Sequence, residues 1–197
     1  MKGEGKKIHF SVTFLFPNRL TYIERMKKIT FAGDILPLKN ELYRLALRIT
    51  LNRAEAEDVV QETMMKVWNR RDNWEQIESI ESFCLTICRN LALDKHKKMG
   101  SQNMSLNEIS FEQPDQSHTA NPEEQAVQQD RILLVRRLID SLPEKQRSVM
   151  QLRDMEGKSY KEIAQILDIS EDQVKINIFR ARQNIKQRFI QTEKYGL

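Results

Sequence analysis

The side chains that could do bond-making chemistry are few in this chain. Cys84 and Cys88 are its two cysteines, four residues apart and so on one face if the segment is helical. His9, His96 and His118 are scattered. A metal site needs about four ligands at recognisable spacing, and none is present, so the thiols are expected to be buried and structural. There is no G-x-x-x-x-G-K phosphate cradle and no paired nucleophile and base. The sequence therefore predicts no catalytic residue, metal, cofactor or small-molecule substrate. What remains is recognition chemistry, concentrated in "SYKEIAQILDISEDQVKINIFRARQNIK", Ser159 to Lys186.

That stretch predicts two short helices joined by a tight turn. Ile163, Ala164, Leu167, Ile169, Val174 and Ile178 have the spacing that packs two helices at a steep angle, with Ala164 small at their closest approach. Asp168 falls in the turn, where a left-handed backbone is commonly needed and Asp tolerates it better than most residues. Ser159 with Glu162, and Ser170 with Gln173, form capping boxes. On the second helix Val174, Ile178, Ala181 and Ile185 face inward. Asp172, Gln173, Lys175, Ile176, Asn177, Phe179 and Arg180 lie outward or at the edges. Gln and Asn can read adenine, and Ile176 can touch a thymine methyl. Lys158, Lys175, Arg180, Arg182 and Lys186 suit phosphates.

Other helices must position this pair. Pro37 suits a first helical turn, and Leu38, Leu42, Leu45, Ala46 and Ile49 follow at helical spacing. Asn52 and Glu55 box the second helix, whose apolar face is Ala56, Val59, Val60, Thr63, Met64, Val67 and Trp68. A polar, aromatic-marked loop, "NRRDNWEQIES", leads to a third helix from about Ile80 to Lys98, with Ile80, Phe83, Cys84, Ile87 and Leu91 as its buried stripe. From Ser101 to Glu124 Lys and Arg vanish and periodicity is lost, which reads as an acidic linker. Asn121, Pro122 and Glu124 then cap a new helix. Pro143 opens another, "PEKQRSVMQLRDMEG", stopped by Gly157.

Composition agrees. The 197 residues carry a formal charge of +4 with only 6 Gly and 5 Pro, a helix-favouring balance. The pI of about 9.0 is compatible with nucleic acid without requiring it. No run approaches the ~18 apolar residues of a membrane helix, and "KKIHFSVTFLF" lacks a small-residue cleavage site. Two cysteines suggest no disulfide framework, which favours a reducing cytosol. Met26 begins the helical pattern, so the segment before it is expected to be a disordered tail or the product of an upstream start.

"AEDVVQETMMKVW" with "ESFCLTICRNLALDKHKK" resembles the region-two domain of bacterial sigma factors. "LIDSLPEKQRSVMQLRDMEGKSYKEIAQILDISEDQVKINIFRARQNI" resembles their region-four domain. The likeness covers about residues 36–190, with no room for a folded region three between the two. That arrangement is similar to the extracytoplasmic-function class of the sigma-seventy family. The resemblance implies an all-α fold: an N-terminal tail at 1–30, a region-two three-helix bundle at 31–99, an acidic linker at 100–121, a four-helix region-four domain at 122–191 and a tail at 192–197.

It also implies partners and sites. Asp58, Gln61, Glu62 and Met65 would dock on the clamp helices of the largest subunit of core RNA polymerase, and region four on the flap region. Asn73 and Trp74 would lie in the loop that takes up an unstacked base of the minus-10 promoter element, with Arg89, Asn90, Asp94, Lys95 and Lys98 along DNA. Lys158, Ser170, Asp172, Gln173, Lys175, Ile176, Asn177, Phe179 and Arg180 would serve the minus-35 element. An anti-sigma factor is an expected partner, the location cytoplasmic, and direct membrane insertion is not expected. The family often has Gly at Asp168, and a small polar and a basic residue at Ile176 and Asn177, so these positions bear on the promoter read.

A flexible linker of ~24 residues has an r.m.s. length of roughly 25–30 Å, whereas two elements one and a half turns apart lie ~55 Å distant. Polymerase would then have to hold the domains apart. The competing reading is a helix-turn-helix regulator acting alone on DNA.

Overall fold

The computed structural model describes residues 28–100 and 122–195. The expected N-terminal tail up to Lys27, the linker, the Asn121 cap and the last two positions lie outside these residues. Among those described there are helices and turns and no strand.

The first domain starts before Pro37. Thr30 caps a π-helical turn at Phe31–Ile35, its Oγ1 accepting from Gly33 N at 3.2 Å while its own N–H donates to Asp34 Oδ2 at 2.9 Å. A 3-10 turn, Leu36–Leu38, takes Pro37 where its missing N–H costs nothing. Helix α1 then runs Lys39–Thr50 and ends on Leu51 in the left-handed region, φ 55°. Asn52 caps α2, Arg53–Trp68, by accepting from Glu55 N at 3.1 Å. A 3-10 turn, Arg71–Gln76, leads to α3, Ile80–Gly100. The three helices pack on one another in pairs around Leu42, Leu45, Ile49, Val59, Val67, Cys84, Leu85 and Cys88.

Two sequence expectations change here. Trp68, placed on the buried face of α2, is 47% exposed, with the edge of Phe31 against it and the Arg71 guanidinium over its ring. The buried stripe of α3 is Cys84, Leu85, Cys88, Leu91 and Ala92, while Ile80, Phe83 and Ile87 are only partly buried at the margin of the core. An amphipathic pattern gives a face to within about a residue, and tertiary packing chooses within it.

The second domain holds α4 at Pro122–Asp140, α5 at Glu144–Met150, a π-helical turn at Gln151–Met155, α6 at Tyr160–Leu167 and α7 at Glu171–Tyr195. Gly157, at φ +72°, turns the chain into α6. The two domains are not apart. Helix α3 packs on α6 and α1 on α5, and one buried cluster runs from Leu42 and Cys88 through to Val149, Leu152, Ile163 and Val174.

Candidate nucleic-acid and polymerase interfaces

Helices α6 and α7 form the expected helix-turn-helix. Ser159 Oγ accepts from Glu162 N at 3.2 Å, and Glu162 Oε2 returns to Ser159 N at 2.8 Å. These bonds hold the Glu162 carboxyl below its usual range. Ser170 and Gln173 repeat the arrangement at 3.2 and 3.1 Å. Asp168 sits at φ 51°, ψ 53°, the left-handed geometry that its place in the turn requires. Ile163, Leu167, Val174, Ile178 and Ala181 are buried.

This packing leaves the outer face of α7 bare. Ser170, Asp172, Gln173, Lys175, Ile176, Phe179 and Arg180 are exposed; Phe179 at 64% and Ile176 at 48% are large apolar groups left in water. Lys175 is held by Asp172 at 3.0 Å, which raises its pKa. Asn177 is half-buried and donates Nδ2 to the Gln173 carbonyl at 2.8 Å, so one of its amide donors is already used. Arg182, matched to phosphates by type, instead pairs with Asp154 in the preceding turn.

Lys158 departs from expectation. Its side chain is only 12% exposed and lies between the domains, 3.0 Å from Glu41 on α1 and 2.5 Å from Glu81 on α3. Burial pulls its pKa down, but the hydrogen bonds it donates to Glu81 and Glu41 outweigh that and raise it. In this arrangement Lys158 faces carboxylates rather than open solvent.

The sequence did not expose the other cross-domain pairs. Arg44 donates to both Glu156 oxygens, at 2.7 and 2.6 Å. Arg48 pairs with Asp140 and donates to Gln151 Oε1 at 3.1 Å. The one hint was that Glu41, Arg44 and Arg48 recur at helical spacing on α1, a pattern that reads equally as a solvated face.

On α2, Asp58, Gln61 and Met65 are exposed and Glu62 half-exposed, at spacings that place them on one side of the helix. Met65 is 65% exposed. Glu62 pairs with Lys66 at 3.0 Å. Lys95 of α3 reaches across to Glu55 at 3.0 Å and Asp58 at 3.6 Å, and Glu55 in first place raises its pKa. Asn90, Asp94 and Lys98 are exposed on α3; Arg89 is half-buried and donates to Asn90 Oδ1 at 3.0 Å.

Asn73 is exposed in the 71–76 turn, but its neighbour Trp74 is not. The Trp74 ring is 6% exposed, its Nε1 donates to the Val67 carbonyl at 3.0 Å, and it meets Trp68 edge to face. A buried, hydrogen-bonded indole is not presented to a base. Trp74 pins the turn that displays Asn73.

Among the described residues, two all-helical domains, the second carrying a helix-turn-helix with an open reading face, have the build of a DNA-binding protein. The Sigma-70 region 2 family matches residues 35–101 and the Sigma-70, region 4 family matches 132–185. The chain is 31% identical over 141 residues to the ECF RNA polymerase sigma factor SigL of Mycobacterium tuberculosis, covering 71% of this chain and 77% of that protein. It is 32% identical over 149 residues to the ECF RNA polymerase sigma factor SigE of Mycolicibacterium smegmatis, covering 75% of this chain but only 56% of that relative. A solved sigma factor, RpoE of Bartonella quintana in complex with the anti-sigma factor NepR, shares the fold at 23% identity and a TM-score of 0.65, over 82% of this chain and 96% of that one. The chain belongs to the extracytoplasmic-function RNA polymerase sigma factors.

Proposed function

We propose that this chain directs core RNA polymerase to promoters, reading the minus-35 element with α7 and the minus-10 element with the 71–76 turn and α3, and that it acts by binding rather than catalysis, in the cytoplasm. The observation that carries the reading is the division of labour between faces. Asp58, Gln61, Glu62 and Met65 share one side of α2 in the first domain and remain open to a partner, while Gln173, Ile176, Phe179 and Arg180 are left exposed on α7 in the second. Phosphate contacts place a protein on DNA, and base-edge contacts give sequence preference. Ile176 and Phe179 offer apolar contact to thymine methyls, and Gln173 keeps its Nε2 as a donor for a base edge while its Oε1 accepts from Ser170 N at 3.1 Å. Without a nucleotide-binding loop, the cost of unstacking bases is met by binding energy.

An anti-sigma factor is the natural antagonist. Between the domains lies a groove of about 1000 Å³, walled by Leu47, Val60, Ile132, Val135 and Ile139 and rimmed by Lys39, Arg53 and Arg131. It suits an amphipathic helix with acidic flanks. Gln61 also lines it, so its occupant would compete with polymerase. No helix among the described residues is long and apolar enough to cross a membrane.

The test is core binding by the Asp58→Lys/Glu62→Lys double variant, with run-off transcription in parallel. Fluorescence anisotropy with labelled chain is expected to show loss of at least ~100-fold in affinity for core polymerase, consistent with reversal of charges at an interface centre, while circular dichroism stays that of the parent. Undiminished binding by the folded variant would remove the polymerase-docking assignment.

A further inference from the structure

We infer that Glu41 and Glu81 act as internal stand-ins for DNA phosphate: by holding Lys158 they keep the two domains closed on each other and lower the affinity of the free chain for DNA. The inference rests on the DNA reading of the second domain given above.

The geometry is specific. Lys158 stands just before α6, at the entry of the helix-turn-helix, where an ammonium can reach a phosphate of a duplex seated on α7. Instead it lies in a cross-domain triad, 3.0 Å from Glu41 and 2.5 Å from Glu81, with side-chain exposures of 12%, 14% and 37%. The carboxylates come from the first domain, and Glu81 lies in the first turn of α3, the helix expected to run along minus-10 DNA. One carboxylate pair therefore ties a DNA-reading domain to the other and neutralises one of its cations. The seam beside it carries the Arg44–Glu156 and Arg48–Asp140 pairs, so closure is ionic at three places along one face. These are not loose surface pairs. Arg48 and Asp140 are 12% and 17% exposed, and Glu156 is 6% exposed against an Arg44 that is 50% exposed and grips it with two bonds.

The energetic consequence is one-sided. Removing one partner of a buried pair leaves an uncompensated charge in the closed form, whereas in an open form the freed ammonium is hydrated at no penalty. Neutralising Glu41 and Glu81 therefore penalises closure alone. Because apparent affinity scales with the competent fraction, a roughly tenfold larger open fraction appears as a roughly tenfold lower apparent Kd. Lys158→Gln must behave differently: it breaks the same triad but also removes the cation that DNA would use.

The test uses the full chain without polymerase, a random-sequence 20-base-pair duplex as probe, and small-angle scattering of the DNA-free protein. Glu41→Gln/Glu81→Gln is expected to increase the radius of gyration and tighten duplex binding by about tenfold at low salt. Lys158→Gln is expected to expand the protein equally while gaining clearly less in DNA affinity. The charge swap Lys158→Glu/Glu41→Gln/Glu81→Lys, against Lys158→Glu alone, guards against simple misfolding: with Glu41 neutralised the swapped pair meets no like charge, and the radius should return toward the parent's. Unchanged scattering for both Glu41→Gln/Glu81→Gln and Lys158→Glu overturns the inference. Expansion without any duplex binding by any variant would keep the latch, overturn its effect on DNA affinity, and count against the DNA reading itself.

Discussion

Replacing Trp74 by Phe separates a positioning role from a base-stacking role. The indole donates to the Val67 carbonyl at 3.0 Å, and that carbonyl also accepts from Arg70 N at 3.1 Å. Loss of the indole N–H therefore orphans nothing, and the missing bond costs about 1 kcal/mol. The smaller ring leaves roughly 40 Å³ unfilled, which at ~24 cal/mol per Å³ adds about 1 kcal/mol. Trp74→Phe should then lose about 2 kcal/mol, read as an earlier urea midpoint with the same m-value. Trp74→Ala, which empties the site, should lose roughly 3–5 kcal/mol. Promoter opening, followed by permanganate reactivity of unpaired thymines in the holoenzyme complex, should survive in Trp74→Phe, because a phenyl ring still pins the turn that carries Asn73. The opposite pattern, a stability within ~0.5 kcal/mol of the parent with opening abolished, would refute the burial argument and put the ring against a base.

Two further outcomes follow from the backbone and the core. Asp168→Gly should raise the melting temperature slightly, because a left-handed residue at φ 51° costs an L side chain ~1–2 kcal/mol, only partly offset by the ~0.5–1 kcal/mol entropic cost of Gly; Asp168→Val, β-branched in that geometry, should lower it. The buried thiols of Cys84 and Cys88 are pushed up to about 12, chiefly by burial. Above an unfolded value near ~8.5, the unfolded chain loses protons that the native chain keeps. Each thiol should therefore remove up to ~1.4 kcal/mol of stability per pH unit from about pH 9 upward. Comparing denaturation of the parent with Cys84→Ala/Cys88→Ala from pH 8 to 10 isolates the effect, and parallel pH curves would contradict it.

The parts of this fold set by neighbours in sequence were legible. The boxes at Ser159–Glu162 and Ser170–Gln173, the Asn52 cap, the Gly157 stop and the turn at Asp168 all involve contacts within a few residues, so type and spacing suffice. Thr30 and Asp34 could have been found the same way, as a capping pattern ahead of Phe31. The two tryptophans could not: Trp68 read as part of the buried face of α2 and Trp74 as a loop residue open to a base, and only the three-dimensional course of the 71–76 turn decides that Trp74 goes in and Trp68 stays partly out. The cross-domain pairs were least legible, because Arg44 and Glu156 are separated by 112 positions and each charge has an unremarkable solvated reading by itself. Their consequence was missed with them. The linker argument left the arrangement of the free domains open and said only that polymerase must hold them apart, whereas the continuous seam packs them on each other.

The same seam bears on how a chain with 32 basic and 28 acidic residues can be selective about DNA. Salt-dependent, sequence-independent affinity comes from cations that release counterions on meeting phosphate. Several cations here already meet a carboxylate: Lys158 meets Glu41 and Glu81, Lys95 meets Glu55 and Asp58, Lys175 meets Asp172, and Arg182 meets Asp154. Phosphate must displace each partner, so the net gain per contact falls and indiscriminate binding weakens. Apolar contacts through Ile176 and Phe179 meet no such competitor and are left to carry a larger share of discrimination, whereas Gln173 Oε1 must first leave Ser170 N. Asp58 links the two levels. As a proposed polymerase contact it sits 3.6 Å from Lys95, a proposed minus-10 contact. Engaging Asp58 with polymerase would take away one of the two carboxylates on Lys95 and leave Glu55, at 3.0 Å, for promoter phosphate to displace, so assembly with polymerase would ease the release of Lys95 to DNA without completing it.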